Sequence, residues 1–234
     1  LSPYPGWRAR LNLGFEQRGS RTVLATRHHE GPLLVQKALY PDGEHTCHAL
    51  VLHPPNGIAG GDDLALSVQV ASEAHAVLAT PGAAKWYRAN GRGARQSIRF
   101  ELAPQATLEW LPQENIVFNA AQADMNFELQ IGAGSTYLGW EILCLGRGSH
   151  DPMKEGVVHI RNRILRGDRP LFAERGVLEG GGALLYSPVG FAGAVIHGTM
   201  LAIARNEMLP SVLIRSEEHT SELQSRLHLV CRLL

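Results

Sequence analysis

The sequence predicts an all-β single domain of stacked sheets, built as a sandwich or a β-helix-like arrangement. Three observations predict it: apolar residues alternate with polar ones at period two, Gly and Pro clusters separate these runs, and helical patterning is scarce. Trp7, Ala9, Leu11, Leu13 and Phe15 fall on one face of a first strand. Leu64, Leu66, Val68 and Val70 form a second, with Ser67 and Gln69 opposite. Ile98, Phe100 and Leu102 alternate with Arg99 and Glu101, and Phe127, Leu129 and Ile131 repeat the pattern. Such strands bury one face and wet the other. Turns are marked by Gly31-Pro32, Pro54-Pro55, Pro81-Gly82, Pro104 and the glycines Gly132 and Gly134. The one stretch that reads as a helix is 192–205, weakened by Gly193 and Gly198. No internal repeat is sharp enough to fix a solenoid period. No low-complexity linker precedes Arg215, so one domain is expected.

Composition excludes several classes of function. With 234 residues, 44% hydrophobic and 19% charged, the chain can bury a full core and is not compositionally disordered. A formal net charge of zero gives no basic face for nucleic acid. Cys47, Cys144 and Cys231 are odd in number and far apart, which fits a reducing compartment better than a disulfide framework. No apolar run reaches the length of a membrane span, and the start shows no signal-peptide pattern, so a soluble cytoplasmic protein is expected. The chain begins at Leu1 without a Met, so a natural start upstream is expected.

Residues 215–225 read R-S-E-E-H-T-S-E-L-Q-S, the in-frame translation of a widely used short-read sequencing adapter. We therefore expect 215–234 to be a non-native tail and 1–214 to be the β domain, cut short at its C-terminal end. His219, His228 and Cys231 then carry no functional argument. The competing reading is an amphipathic helix, because Leu223, Leu227 and Val230 recur at helical spacing.

Four motifs carry candidate chemistry. The first, H-P-P-N-G-I-A-G-G-D, ends at Asp62: Pro54 and Pro55 stop a strand, and Gly57, Gly60 and Gly61 permit positive φ or close backbone approach. It lacks the spacing of a phosphate-binding loop, and a tight turn whose Asp accepts backbone N–H bonds is the simpler reading. In the second, T-P-G-A-A-K-W-Y-R, Lys85, Trp86, Tyr87 and Arg88 form a cationic, aromatic patch suited to a partner surface; a solvated surface turn is equally consistent. The third, L-E-W-L-P-Q-E-N-I-V-F, reads as two strands about Pro112, with Leu108 and Trp110, then Ile116 and Phe118, on the apolar side. It places Glu109 and Glu114 among large apolar neighbours, where a buried carboxylate needs a partner or a cation. The fourth, G-W-E-I-L-C-L-G-R, does the same for Glu141 and ends at Arg147, a further partner-binding candidate; Cys144 reads as a small core residue. His45, Cys47 and His48 resemble a metal cluster, but on one strand His48 faces away from the other two.

Taken in order, and with G-P-L-L-V-Q-K-A-L-Y-P-D-G before them and G-D-R-P-L-F-A-E-R after, these stretches resemble the UreD (UreH) family of urease accessory proteins from about Trp7 to Leu209. The family's H-P-P-G-G reads His53-Pro54-Pro55-Asn56-Gly57 here, and its A-T-K reads Ala83-Ala84-Lys85. The resemblance implies a largely β, non-enzymatic scaffold. It implies binding to apo-urease with UreF and the GTPase UreG, nickel as cargo in transit, and no tightly bound cofactor. It also implies an internal passage for nickel, with Asp62, Glu109, Glu114 and Glu141 as the candidate polar residues along it. Weak oxygen donors suit a route that must release its ion, whereas a dense His/Cys cage would trap it. The competing function is a β-rich hydrolase in which two of these carboxylates face each other across an open cleft.

Overall fold

The computed structural model describes residues 6–148 and 151–203, and the backbone of Leu227–Leu233. In order, the strands are β1 (Arg8–Arg18), β2 (Arg21–Glu30), β3 (Leu34–Val35), β4 (Thr46–Leu52), β5 (Asp63–Val70), β6 (His75–Ala79), β7 (Ala84–Trp86), β8 (Ala94–Leu102), β9 (Thr107–Leu111), β10 (Asn115–Val117), β11 (Ala121–Ile131), β12 (Thr136–Leu145), β13 (Gly156–Arg166), β14 (Arg169–Glu179), β15 (Ile196–Ile203) and β16 (Leu227–Leu233). The one described helix, α1 (Ala183–Tyr186), lies between β14 and β15.

Two sheets face each other. One runs β14-β13-β11-β8-β5-β1-β2; the other runs β16-β15-β12-β9-β6-β4-β3, with β7 and β10 attached beside β12. Leaving aside β7 and β10, the strands from β4 to β13 alternate between the sheets and pair in parallel with the strand one coil earlier: β5 with β8, β8 with β11, β6 with β9, β9 with β12. This is the expected stacked, helix-like β arrangement. Antiparallel hairpins β1–β2 and β13–β14 close the first sheet at either end.

The period-two alternation has the physical meaning the sequence suggested. Ala9, Leu11, Leu13 and Phe15 point inward, as do Leu64 to Val70 at alternate positions, Phe100 and Leu102, and Leu129 and Ile131. From the second sheet Leu78, Leu108, Trp110, Tyr137 and Leu143 meet them, and Phe100 packs edge-on against Trp110 at 5.6 Å. Three expectations need correction. Trp7 precedes β1 and is 54% exposed, outside the core stripe. Pro112 resets the phase of the third motif, so Asn115 and Val117 are buried instead of Ile116 and Phe118. The stretch read as a helix, 192–205, contains β15, which pairs antiparallel with β12; its β-branched Ile196, Thr199 and Ile203 gain a ladder and a buried face that outweigh weak helix propensity.

On one side of the stack the coils turn tightly and alike. Glu73, Gln105 and Gly134 each take left-handed φ (64, 66 and 66°) at matching positions of the β5–β6, β8–β9 and β11–β12 turns. Backbone bonds tie these turns together, Thr107 N to Ala74 O and Thr136 N to Ala106 O, both 2.9 Å. On the opposite side the connections are longer and hold the motifs. Of the tail expected to be non-native, Leu227–Leu233 run parallel to β15 as β16; the rest of 215–234 lies outside the described residues.

Candidate functional site

The long connections converge because they bond to one another. Ile58 N donates to Lys85 O (2.7 Å) and Tyr87 N to Ile58 O (2.8 Å), stitching the first motif to the second. Strand β10 of the third motif then lies between β7 and β12, so the second, third and fourth motifs share one parallel ladder. Trp86 is fully buried at this junction and its Nε1 donates to Asn115 Oδ1 at 3.0 Å. Glycine is required at one point and favoured at another. A Cβ on Gly60 would lie 2.1 Å from the backbone oxygen of Ala89, which cannot give way, and one on Gly57 would lie 2.0 Å from the exposed Tyr87 ring and displace it. Gly61 (φ 99°) and Asn56 (φ 54°) supply the left-handed backbone of the turn. Asp62 latches it: Oδ1 accepts from Trp7 N and Oδ2 from Ala59 N, both at 2.8 Å.

These loops rim a cavity of about 500 Å³ between the sheets. His53, Asn56, Thr80, Asn115, Gln96, Tyr137, Glu141, Asn162 and Thr199 supply polar atoms to its lining. Burial holds the His53 imidazole below the ordinary histidine range, with Asp62 pulling the other way. Glu141 projects inward from β12 opposite Thr199 of β15. Burial, and then the Glu174 carboxylate, push its own carboxyl up to about 7. Its partial accessible surface faces the cavity, so it is withdrawn from bulk solvent yet open to a small occupant. Asn162 Nδ2 donates to Glu174 Oε2 at 3.0 Å. Tyr137 lies along the same face, with its hydroxyl oxygen where a side chain on Gly139 would begin.

The family model for the UreD urease accessory protein matches residues 8–234. This chain belongs to the UreD family. Curated relatives named urease accessory protein UreD from Dechloromonas aromatica and from an Azoarcus species are each 50% identical to it, over 198 and 202 residues. Those alignments cover 84% and 86% of this chain, and 69% and 71% of the relatives. A UreD from Cupriavidus necator is 44% identical over 222 residues, 94% of this chain and 76% of its own length.

Within this UreD domain, only Glu141 of the four acids singled out from the sequence lines the cavity. Asp62 is the turn latch. Glu109 points to the outer face of the second sheet, since its neighbours Leu108 and Trp110 point in. There it accepts from His75 Nε2 at 2.8 Å, while Thr46 Oγ1 contacts His75 Nδ1 at 3.2 Å. That hydrogen bond, opposed by partial burial and aided by the charges of His75 and His48, holds Glu109 below the usual carboxylate range. Glu114 immediately precedes β10; its carbonyl accepts from Ala84 N, and its charge helps burial to raise the Cys144 thiol. Of the partner-binding candidates, Trp86 is inside. Tyr87 and Arg88 are exposed, Lys85 is half-buried, and Arg147 pairs with Asp151 (2.8 Å) beside the Phe118 ring. Sequence reasoning missed Glu174, Asn162 and Thr199, whose only sequence signal is polarity at inward positions of apolar strands. Among the described residues no three His, Cys, Asp or Glu side chains converge on a metal-sized point, and no helix is long and apolar enough to cross a membrane.

Proposed function

We propose that this chain is a maturation scaffold that binds apo-urease with UreF and UreG in the cytoplasm and lets nickel pass Glu141 on its way to the urease active site. The observation that carries this reading is an acid facing an internal cavity whose rim is built by the family's own motifs. A carboxylate near neutrality binds a divalent cation by releasing a proton and gives it up when the proton returns, which suits transit better than storage. Nickel is cargo here, and no resident cofactor is invoked. The hydrolase alternative rests on two of Glu109, Glu114 and Glu141 facing each other, whereas Glu109 and Glu141 project to opposite faces of one sheet and neither Glu109 nor Glu114 lines the cavity.

The test is Glu141→Gln in cells expressing the complete urease gene set. Co-purification with apo-urease and UreF should persist, while nickel-dependent urease activation falls by roughly tenfold or more. Unchanged activation would remove Glu141 from the route, and loss of the complex would show a structural role.

A further inference from the structure

The cavity between the sheets is larger than an ion needs. A divalent cation with six waters, at about 30 Å³ per water, would fill well under half of its volume of about 500 Å³. That volume falls in the range of small-molecule pockets, about 300–1,000 Å³, and like them the cavity is walled mainly by apolar and aromatic side chains.

The strand registers order those walls. On the second sheet Trp110, Gly139 and Leu201 stand side by side in one row. The neighbouring inward row sets Glu141 beside Thr199. On the first sheet Ile98, Phe127, Asn162 and Glu174 follow one another across four strands. Each sheet therefore carries an apolar stretch that ends in an acid, and the Glu174 carboxylate is near enough to Glu141 to disfavour its ionisation. Asn162 spends its Nδ2 on Glu174, which leaves its carbonyl oxygen as an acceptor. Among the described residues Glu141 is the only Asp, Glu, Lys or Arg that lines the cavity. An anionic ligand would find no guanidinium or ammonium partner there and would meet a pair of carboxylates. A neutral apolar molecule would fill the room without relieving that pair.

We propose that this cavity binds a small primary ammonium compound with an apolar body, its charged head on Glu141 and its body among Trp110, Leu201, Ile98 and Phe127. An ammonium head has three N–H donors and no acceptor, which matches the Glu141 carboxylate, the Thr199 hydroxyl and the Asn162 carbonyl oxygen. Its desolvation on entry is offset by the charged partner, and the aromatic walls add attraction. Such an occupant would stand in the path proposed for nickel, although its binding requires only the cavity and not that path.

The test sets 2-phenylethylammonium against 2-phenylethanol and phenylacetate, probes of similar shape with cationic, neutral and anionic heads, by calorimetry on the full chain. The amine should bind at least about tenfold more tightly than the alcohol, and phenylacetate should not bind. In Glu141→Gln the amine's advantage should shrink to about twofold or less, while the alcohol binds as before and so reports an intact cavity. Absence of amine binding, equal affinity for amine and alcohol, or an advantage that survives Glu141→Gln overturns the proposal. If Glu141→Gln loses the alcohol as well, Thr199→Val decides: weaker amine binding with unchanged alcohol binding supports the site, and no change overturns it. Nickel-dependent urease activation with the amine present separates this site from the nickel route. Amine binding with no loss of activation would count against the route past Glu141 and leave the ligand site standing; no amine binding, with activation still sensitive to Glu141→Gln, would overturn the ligand site alone.

Discussion

Glu109 and Glu141 enter the sequence alike, each a lone acid inside an apolar strand, and the fold separates them. Glu109 lies on the outer face of the second sheet, hydrogen-bonded by His75, with its carboxyl held low. Glu141 lies on the inner face, facing a cavity and a second acid, with its carboxyl pushed up to about 7. One strand and one step of phase separate a satisfied surface pair from a strained interior acid. A charge with a close donor and water nearby needs no further partner; one shut in beside another carboxylate is stabilised by a proton or a cation.

The largest expected effect concerns Glu141. Its folded value lies above the ordinary glutamate value of about 4.5, so the folded state keeps a proton that the unfolded chain releases. Stability should therefore fall as pH rises between about 4.5 and 7, then stay level, for a total of at most about 3 kcal/mol. The cavity has room for water that would screen the charge and reduce this figure. Glu141→Gln should abolish that slope and raise Tm above neutrality by up to about 6 °C, as read by thermal melts at several pH values. A variant with an unchanged pH profile would end the contrast with Glu109.

Asp62→Ala comes next. It leaves Trp7 N and Ala59 N without their acceptor and should cost about 2 kcal/mol in denaturant unfolding. It should also lower the His53 value further, because Asp62 is the influence raising it; an NMR titration of His53 checks this. The smallest effect is expected for Glu109→Gln. Its carboxyl is depressed in the folded state, so its contribution is present above about 4.5 and lost as pH falls through the lower folded value. At 30% side-chain exposure that contribution is about 1 kcal/mol or less. Urease activation should be nearly unaffected, and a large loss would bring Glu109 back onto the nickel route.

Much of the fold was legible because strand periodicity is local. The alternation over Ala9 to Phe15, Leu64 to Val70 and Leu129 to Ile131 gave both the strands and their buried faces. The coil period was not legible. The turn positions Glu73, Gln105 and Gly134 are spaced 32 and 29 residues apart (105 − 73 and 134 − 105), and only the last is a glycine. A left-handed position filled by Glu or Gln leaves no mark in a search for Gly and Pro. Residues 192–205 misled for a related reason, since a strand that gains its ladder from β12 need not show strong alternation of its own.

The site divides the same way. The sequence alone determined the family, the β class and the loop chemistry around Gly57, Gly60, Gly61 and Asp62, because these rest on local backbone needs and on the order of motifs. Only the tertiary structure decided that four motifs distant in sequence share one rim, that Glu174 and Asn162 join Glu141, and that Glu109 does not. The physical reason is that a carboxylate's role follows from burial and from its through-space neighbours. Both are set by which strand stacks on which, and no window of sequence contains that information.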